Sequence, residues 1–180
     1  MKLIVMAVLA LPLLAQTRRI DLAITGGHET DPRDHGRPDV LIAAAMGVPT
    51  EVFREAFSHV TPAQNGHPSP EEAQRNKAAL IRALGPYGLT NERIDEVSNY
   101  YRYNRRAGQE VWRTTPAAAY VTVKDGAVTE VTIINPGSGY SSEPIVSVPG
   151  MPDVRITATL AFSKDFARNG SIAQFVVRSK

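Results

Sequence analysis

The sequence contains no cysteine. Thiol catalysis, cysteine-ligated zinc and disulfide stapling are therefore excluded. Net charge is scarce too: 20 Lys and Arg stand against 18 Asp and Glu, leaving +2. So small an excess demands no polyanionic partner. Familiar catalytic signatures are missing. No Gly-x-Ser-x-Gly elbow surrounds a serine, no Gly-Lys-Ser/Thr follows the glycine-rich stretch, and no His-Glu-x-x-His lies on a helix. The longest apolar run, Leu3–Ala15, falls short of the roughly 20 residues a membrane-spanning helix needs. What remains is an ordinary globular balance of 180 residues, 43% hydrophobic and 21% charged, which excludes a disordered or collagen-like chain. The length fits one domain or two small ones.

Met1-Lys2 followed by Leu3–Ala15 has the make-up of a secretory signal peptide, with cleavage expected after Ala15. Export is the expectation, to the periplasm, the cell surface or the medium. No membrane span is expected once the leader is removed.

The rest of the chain divides by composition. Residues 16–37 are expected to form an acidic, histidine-bearing loop, because Gly26 to Pro38 is dense in turn residues and lacks apolar periodicity. A helical unit follows over 38–103. Pro38 and Asp39 open a helix that Gly47 closes, and a second runs from Thr50 to His59 with Val52, Phe53, Ala56, Phe57 and Val60 on one stripe. Ser69-Pro70-Glu71-Glu72 is an N-cap, an N1 proline and an acidic first turn, and Thr90 caps a fourth helix. The four helices repeat internally: Ile42, Met46, Gly47 and Phe53 correspond to Leu80, Leu84, Gly85 and Ile94. Two helical hairpins that pack on each other are expected. Residues 104–116 form a basic-aromatic linker, and over 117–180 the period changes to two, giving a small antiparallel β-module. Gly126, Val128, Val131 and Ile133 recur at the spacing of Gly170, Ile172, Phe175 and Val177, which implies two similar hairpins. The fold class is thus α+β.

Three stretches carry side chains with chemical potential. His28, Glu29, Asp31, Asp34 and His35 offer imidazole and carboxylate ligands suited to a divalent metal such as zinc, manganese or iron. The competing reading makes Asp31 and Asp34 turn caps, ion-paired to Arg33 and Arg37. Arg102, Arg105, Arg106 and Arg113 interleave with Tyr100, Tyr101, Tyr103 and Trp112. Such a mixture can bind single-stranded nucleic acid, stack on sugars, or hold a joint between domains. Asn135-Pro136-Gly137-Ser138-Gly139-Tyr140 is a turn in which two glycines permit positive φ and Tyr140 plugs the end of the sheet or edges a ligand site. DNA reading is opposed by Glu51, Glu55, Glu92, Asp95 and Glu96 on the second and fourth helices, and no nucleic-acid partner is expected. Asn169-Gly170-Ser171 fits a glycosylation pattern, although Asn-Gly explains itself as a turn.

The segment from Val128 through Asn135-Pro136-Gly137-Ser138-Gly139-Tyr140 to Pro144 resembles a β-motif of bacterial exported and phage-structural proteins. Gly26–Ala56, with Leu84–Gly88 and Asn91-Glu92-Arg93, is similar to a group of uncharacterised exported bacterial proteins that pair such helices with that motif. The resemblance implies an exported module and transfers no catalytic residue. The expected function is an exported binding or envelope-structural protein for a glycan, peptide or partner protein, with Tyr140, Tyr103, Trp112, Arg105 and Arg106 as binding residues. No cofactor is required. The alternative is a metal-dependent hydrolase using the His28–His35 loop.

Overall fold

A computed structural model describes residues 16–61, 69–104 and 107–178. The fold is mixed α+β, with four α-helices and two antiparallel sheets among the described residues. The expected leader, residues 1–15, lies outside them.

The helices do not come first, as expected. Strands β1 (Thr17–Asp21) and β2 (Ala23–Thr25) precede them, so the segment 16–37 is loop only from Gly26 onward. Ile20, Leu22 and Ile24 alternate, and all three are half-buried against the β-module. Leu22 is the crossing point. Its N–H donates to the Ala119 carbonyl, and on either side of it the chain joins a different sheet.

Each helix begins and ends where its local chemistry dictates. Helix α1 (Asp39–Met46) stops at Gly47, which takes φ 76°. Helix α2 (Thr50–Ser58) follows after Pro49. Helix α3 (Pro70–Leu84) starts in a full capping box between Ser69 and Glu72, and Thr90 caps α4 (Asn91–Tyr100) through the Arg93 N–H. Helix α1 packs on α2 and α4, and α2 on α3. Their shared core contains Leu41, Phe53, Leu84, Ile94, Val97 and, from beyond the helices, Trp112.

The first sheet orders β1-β3-β4, with β3 at Ala118–Lys124 and β4 at Ala127–Asn135. The second orders β2-β5-β6-β7, with β5 at Ile145–Ser147, β6 at Arg155–Ala161 and β7 at Ser171–Arg178. Val121 and Val123 of the first sheet share one aliphatic cluster with Ile156 of the second. The repeated spacing in the sequence has a structural counterpart. Val123 pairs with Val128 and Leu160 with Ile172, and each pair adjoins a register shift that skips one residue, Thr129 in β4 and Ala173 in β7. The two hairpins carry the same bulge at the same place.

The glycine-rich turn fastens this module to the helices. Gly139 N–H donates to the Asn169 carbonyl, Tyr140 N–H to that of Gly170, and Trp112 Nε1 to that of Gly139 at 2.9 Å. A Cβ on Gly137 would stand 2.6 Å from the Thr115 carbonyl oxygen, and one on Gly139 would stand 2.8 Å from that of Arg113. Both residues have positive φ, so only glycine satisfies backbone and space together. Asn169, fully buried, donates through Nδ2 to the Leu41 carbonyl and to Tyr101 Oη at 2.7 and 2.8 Å. Its amide is spent in the joint, and the fold presents no glycosylation acceptor there.

Candidate functional site

The loop from His28 to Asp39 is ordered by its own charges. Asp31 accepts from the Arg33 N–H and opens a single 3-10 turn at Pro32–Asp34. The Arg33 guanidinium folds back onto the same carboxylate at 2.8 Å. Asp34 is buried and takes two hydrogen bonds from Arg54 on α2, at 2.7 and 2.9 Å. Asp39, with no exposed surface, is held by Arg37 at 2.5 and 3.0 Å. Burial pushes the Asp39 carboxyl up to about 6, with the Arg37 hydrogen bonds and charge acting against that rise and the nearby Asp34 carboxylate adding to it.

The metal-ligand candidates therefore do not converge. Glu29 accepts from Ser142 Oγ, Asp31 is occupied by Arg33, and Asp34 by Arg54. His35 sits exposed at the end of the 3-10 turn with φ 51°. His28 leaves the loop altogether: its ring stacks on Tyr140 with centroids 5.2 Å apart and meets Trp112 edge-on at 6.2 Å. Its Nε2 is buried without a hydrogen-bond partner, and desolvation pulls its pKa below the ordinary histidine value against the pull of Glu29. Among the described residues no group of three or more His, Asp or Glu side chains could hold a metal ion.

The binding candidates separate as well. Tyr140 and Trp112 are each 4% exposed and serve the joint; Tyr140 borders neither of the hollows described below, whereas Trp112 also lines the more polar one. Both rings fill the space between the helical core and the sheets, and both polar atoms are used on backbone: Trp112 Nε1 on Gly139, and Tyr140 Oη accepting from Ala117 N–H. Arg105 and Arg106 lie outside the described residues. Tyr103 does border a cavity, with Oη donating to the Gly36 carbonyl at 2.6 Å.

That cavity is a cleft of about 460 Å³ between the Gly36–Pro38 turn, α1, α2 and the end of α4. Ile42, Phe53 and Phe57 give it an apolar wall. The Arg37 guanidinium lies flat over the Phe57 ring, 3.5 Å from its centroid, while its edge holds Asp39. Arg102 stands at the rim, exposed and without a carboxylate partner among the described residues. Arg102 and Tyr103 also border a second, more polar hollow of about 310 Å³, whose lining includes Tyr100 and Arg113. The two separate hollows share Arg102 and Tyr103 and make a divided trough, one side mainly apolar and the other more polar and bordered by arginines.

No family model, curated protein or solved structure matches this chain. The trough must therefore be read from its own chemistry. Its apolar wall was visible in sequence only as a helix stripe, which core packing explains equally well. Phe57 is half-exposed because α2 ends beside the Gly36–Pro38 turn instead of under another helix. Arg102 and Arg113 were visible as part of the basic-aromatic run. Their freedom from carboxylates was not, since it depends on which acidic groups the fold brings near.

Proposed function

We propose that this chain is an exported binding protein that takes a peptide, glycan or partner-protein segment in the trough between its helices and the chain after α4, at 101–103 and 109–113. The observation that supports this most is the 460 Å³ cleft, because it joins an apolar wall to an uncommitted guanidinium. Ligand sites commonly have this size and this blend of apolar lining with a few directing polar groups. Export rests on the Met1–Ala15 composition, and the exported-family resemblance rests on the Gly26–Ala56 and Asn135–Tyr140 motifs. The rival reading, a metal-dependent hydrolase, draws less support: Glu29, Asp31 and Asp34 are each engaged by a different partner.

Two measurements test the proposal. The mass of the product in an extracytoplasmic extract should correspond to a chain beginning at Gln16; the intact chain in the cytoplasm contradicts export. N-phenyl-1-naphthylamine, a neutral apolar dye, should brighten on the folded protein and lose most of that signal with Phe57→Ser, with circular dichroism confirming the fold. No enhancement at all contradicts the binding site.

A further inference from the structure

We infer that the trough's ligand is an acidic peptide segment with an apolar anchor, the anchor seated against Phe53 and Phe57 and the carboxylates meeting Arg102 and Arg113. This rests on the binding reading above and names the class of ligand. Three observations carry it.

Charge comes first. Asp39 and Asp34, on the Arg37 side of the cleft, are matched by Arg37 and Arg54, while Glu110, between the lining residues Gln109 and Val111, lines neither hollow. Arg102 and Arg113 have no such partner among the described residues, and Arg113 only lies over the Tyr100 ring, 4.9 Å from its centroid. Uncommitted guanidiniums bordering a concavity draw carboxylates, and their planar forks pair with them bidentately.

Shape comes second. The apolar and cationic hollows are separate concavities joined through Arg102 and Tyr103. An occupant of both is an extended chain with a greasy group at one end and anions further along. A neutral glycan lacks the greasy group. A fatty acid has a single carboxylate for two guanidiniums.

Contrast comes third. Another hollow, of about 330 Å³, lies on α2 between Val52, Ala56, Ala83 and Tyr87. Its lining holds Glu51 and Glu55 and no arginine or lysine; Glu51 is paired with Arg54, and Glu55 remains to disfavour an acidic segment there relative to the Arg102 side.

The test uses the mature full chain and fluorescein-labelled short peptides read by anisotropy. One carries a Leu-Phe pair followed by a run of Asp, the second replaces the Asp run with Asn, and the third replaces Leu-Phe with Ser-Ser. The Asp peptide should bind at least about tenfold more tightly than either control at low salt, and the advantage over the Asn peptide should shrink as salt screens the charges. An Arg102→Gln/Arg113→Gln double variant, changed only at exposed positions, should bind the Asp peptide no better than the Asn one. Equal binding of the Asp and Asn peptides, or an unaffected double variant, overturns the acidic-ligand inference while N-phenyl-1-naphthylamine still reports an occupied cleft. Failure of the dye and of all three peptides overturns the binding reading as well.

Discussion

The 28–39 loop and the connector after α4, described at 101–104 and 107–113, both carry charge, and they put it to opposite uses. In the loop, Asp31, Asp34 and Asp39 each meet an arginine within 3 Å, and two of the three carboxylates are buried. In the connector, Arg102 and Arg113 border concavities, and neither has a carboxylate partner among the described residues. The loop has the more reactive residue types, yet its charges are consumed in fixing the backbone between β2 and α1. A run of charged residues is therefore read as structure or as a site by asking which charges the fold has already neutralised.

The comparison breaks most visibly if the loop's pairs contribute nothing to stability. Asp34→Ala removes the most buried of the three carboxylates around Arg54, leaving Glu51 and Asp31, and should cost about 2 kcal/mol in denaturant unfolding. A loss no larger than that of an ordinary surface change would make the loop resemble the connector.

Asp39 gives the next largest effect. The folded protein keeps its proton up to about pH 6, whereas the unfolded chain releases it near 4. Its contribution to stability is thus fully present below about pH 4 and is lost as the pH rises through 6. Carboxyl NMR should place the Asp39 midpoint near 6, and Asp39→Asn should abolish that component of the stability profile. A midpoint at the ordinary aspartate value would show that Arg37 fully offsets burial.

His28 acts in the opposite direction. Its lowered pKa means that the unfolded chain takes up the proton first, so its contribution is present above about pH 6.5 and is lost on acidification. His28→Phe keeps a ring between Tyr140 and Trp112 and removes the unpaired Nε2, so the thermal midpoint should fall less between pH 7 and pH 5 than in the parent. The smallest effect belongs to the exposed Arg33–Asp31 pair. Arg33→Gln should leave the unfolding midpoint unchanged, and a clear drop would give this surface pair a structural weight its exposure does not suggest.

Much of the fold was legible because it is written locally. The capping box at Ser69, the Gly47 stop, the Thr90 cap and the Asp125-Gly126 hairpin all lie within a few residues of what they control. Ile20, Leu22 and Ile24 carried a strand signal as well, obscured by Arg19 and Asp21 on the opposite face and by Arg18, which is exposed although it shares the face of Ile20. The joint was not legible. Asn169 reaches Leu41 across most of the chain, and nothing near residue 169 announces that its amide will be buried. The same holds for the site. Arg54 and Asp34 are brought together by the packing of α2 on the loop, and the absence of any such partner for Arg102 among the described residues is equally a product of packing.

The most direct measurement is an amide NMR titration of the mature protein with the Leu-Phe/Asp peptide. Shifts should concentrate at residues 35–38, 53–57, 98–103 and 111–113, leaving the β3–β4 hairpin still. Shifts centred on 28–31 or on the strands, with the cleft silent, would contradict the assignment of the trough as the binding site.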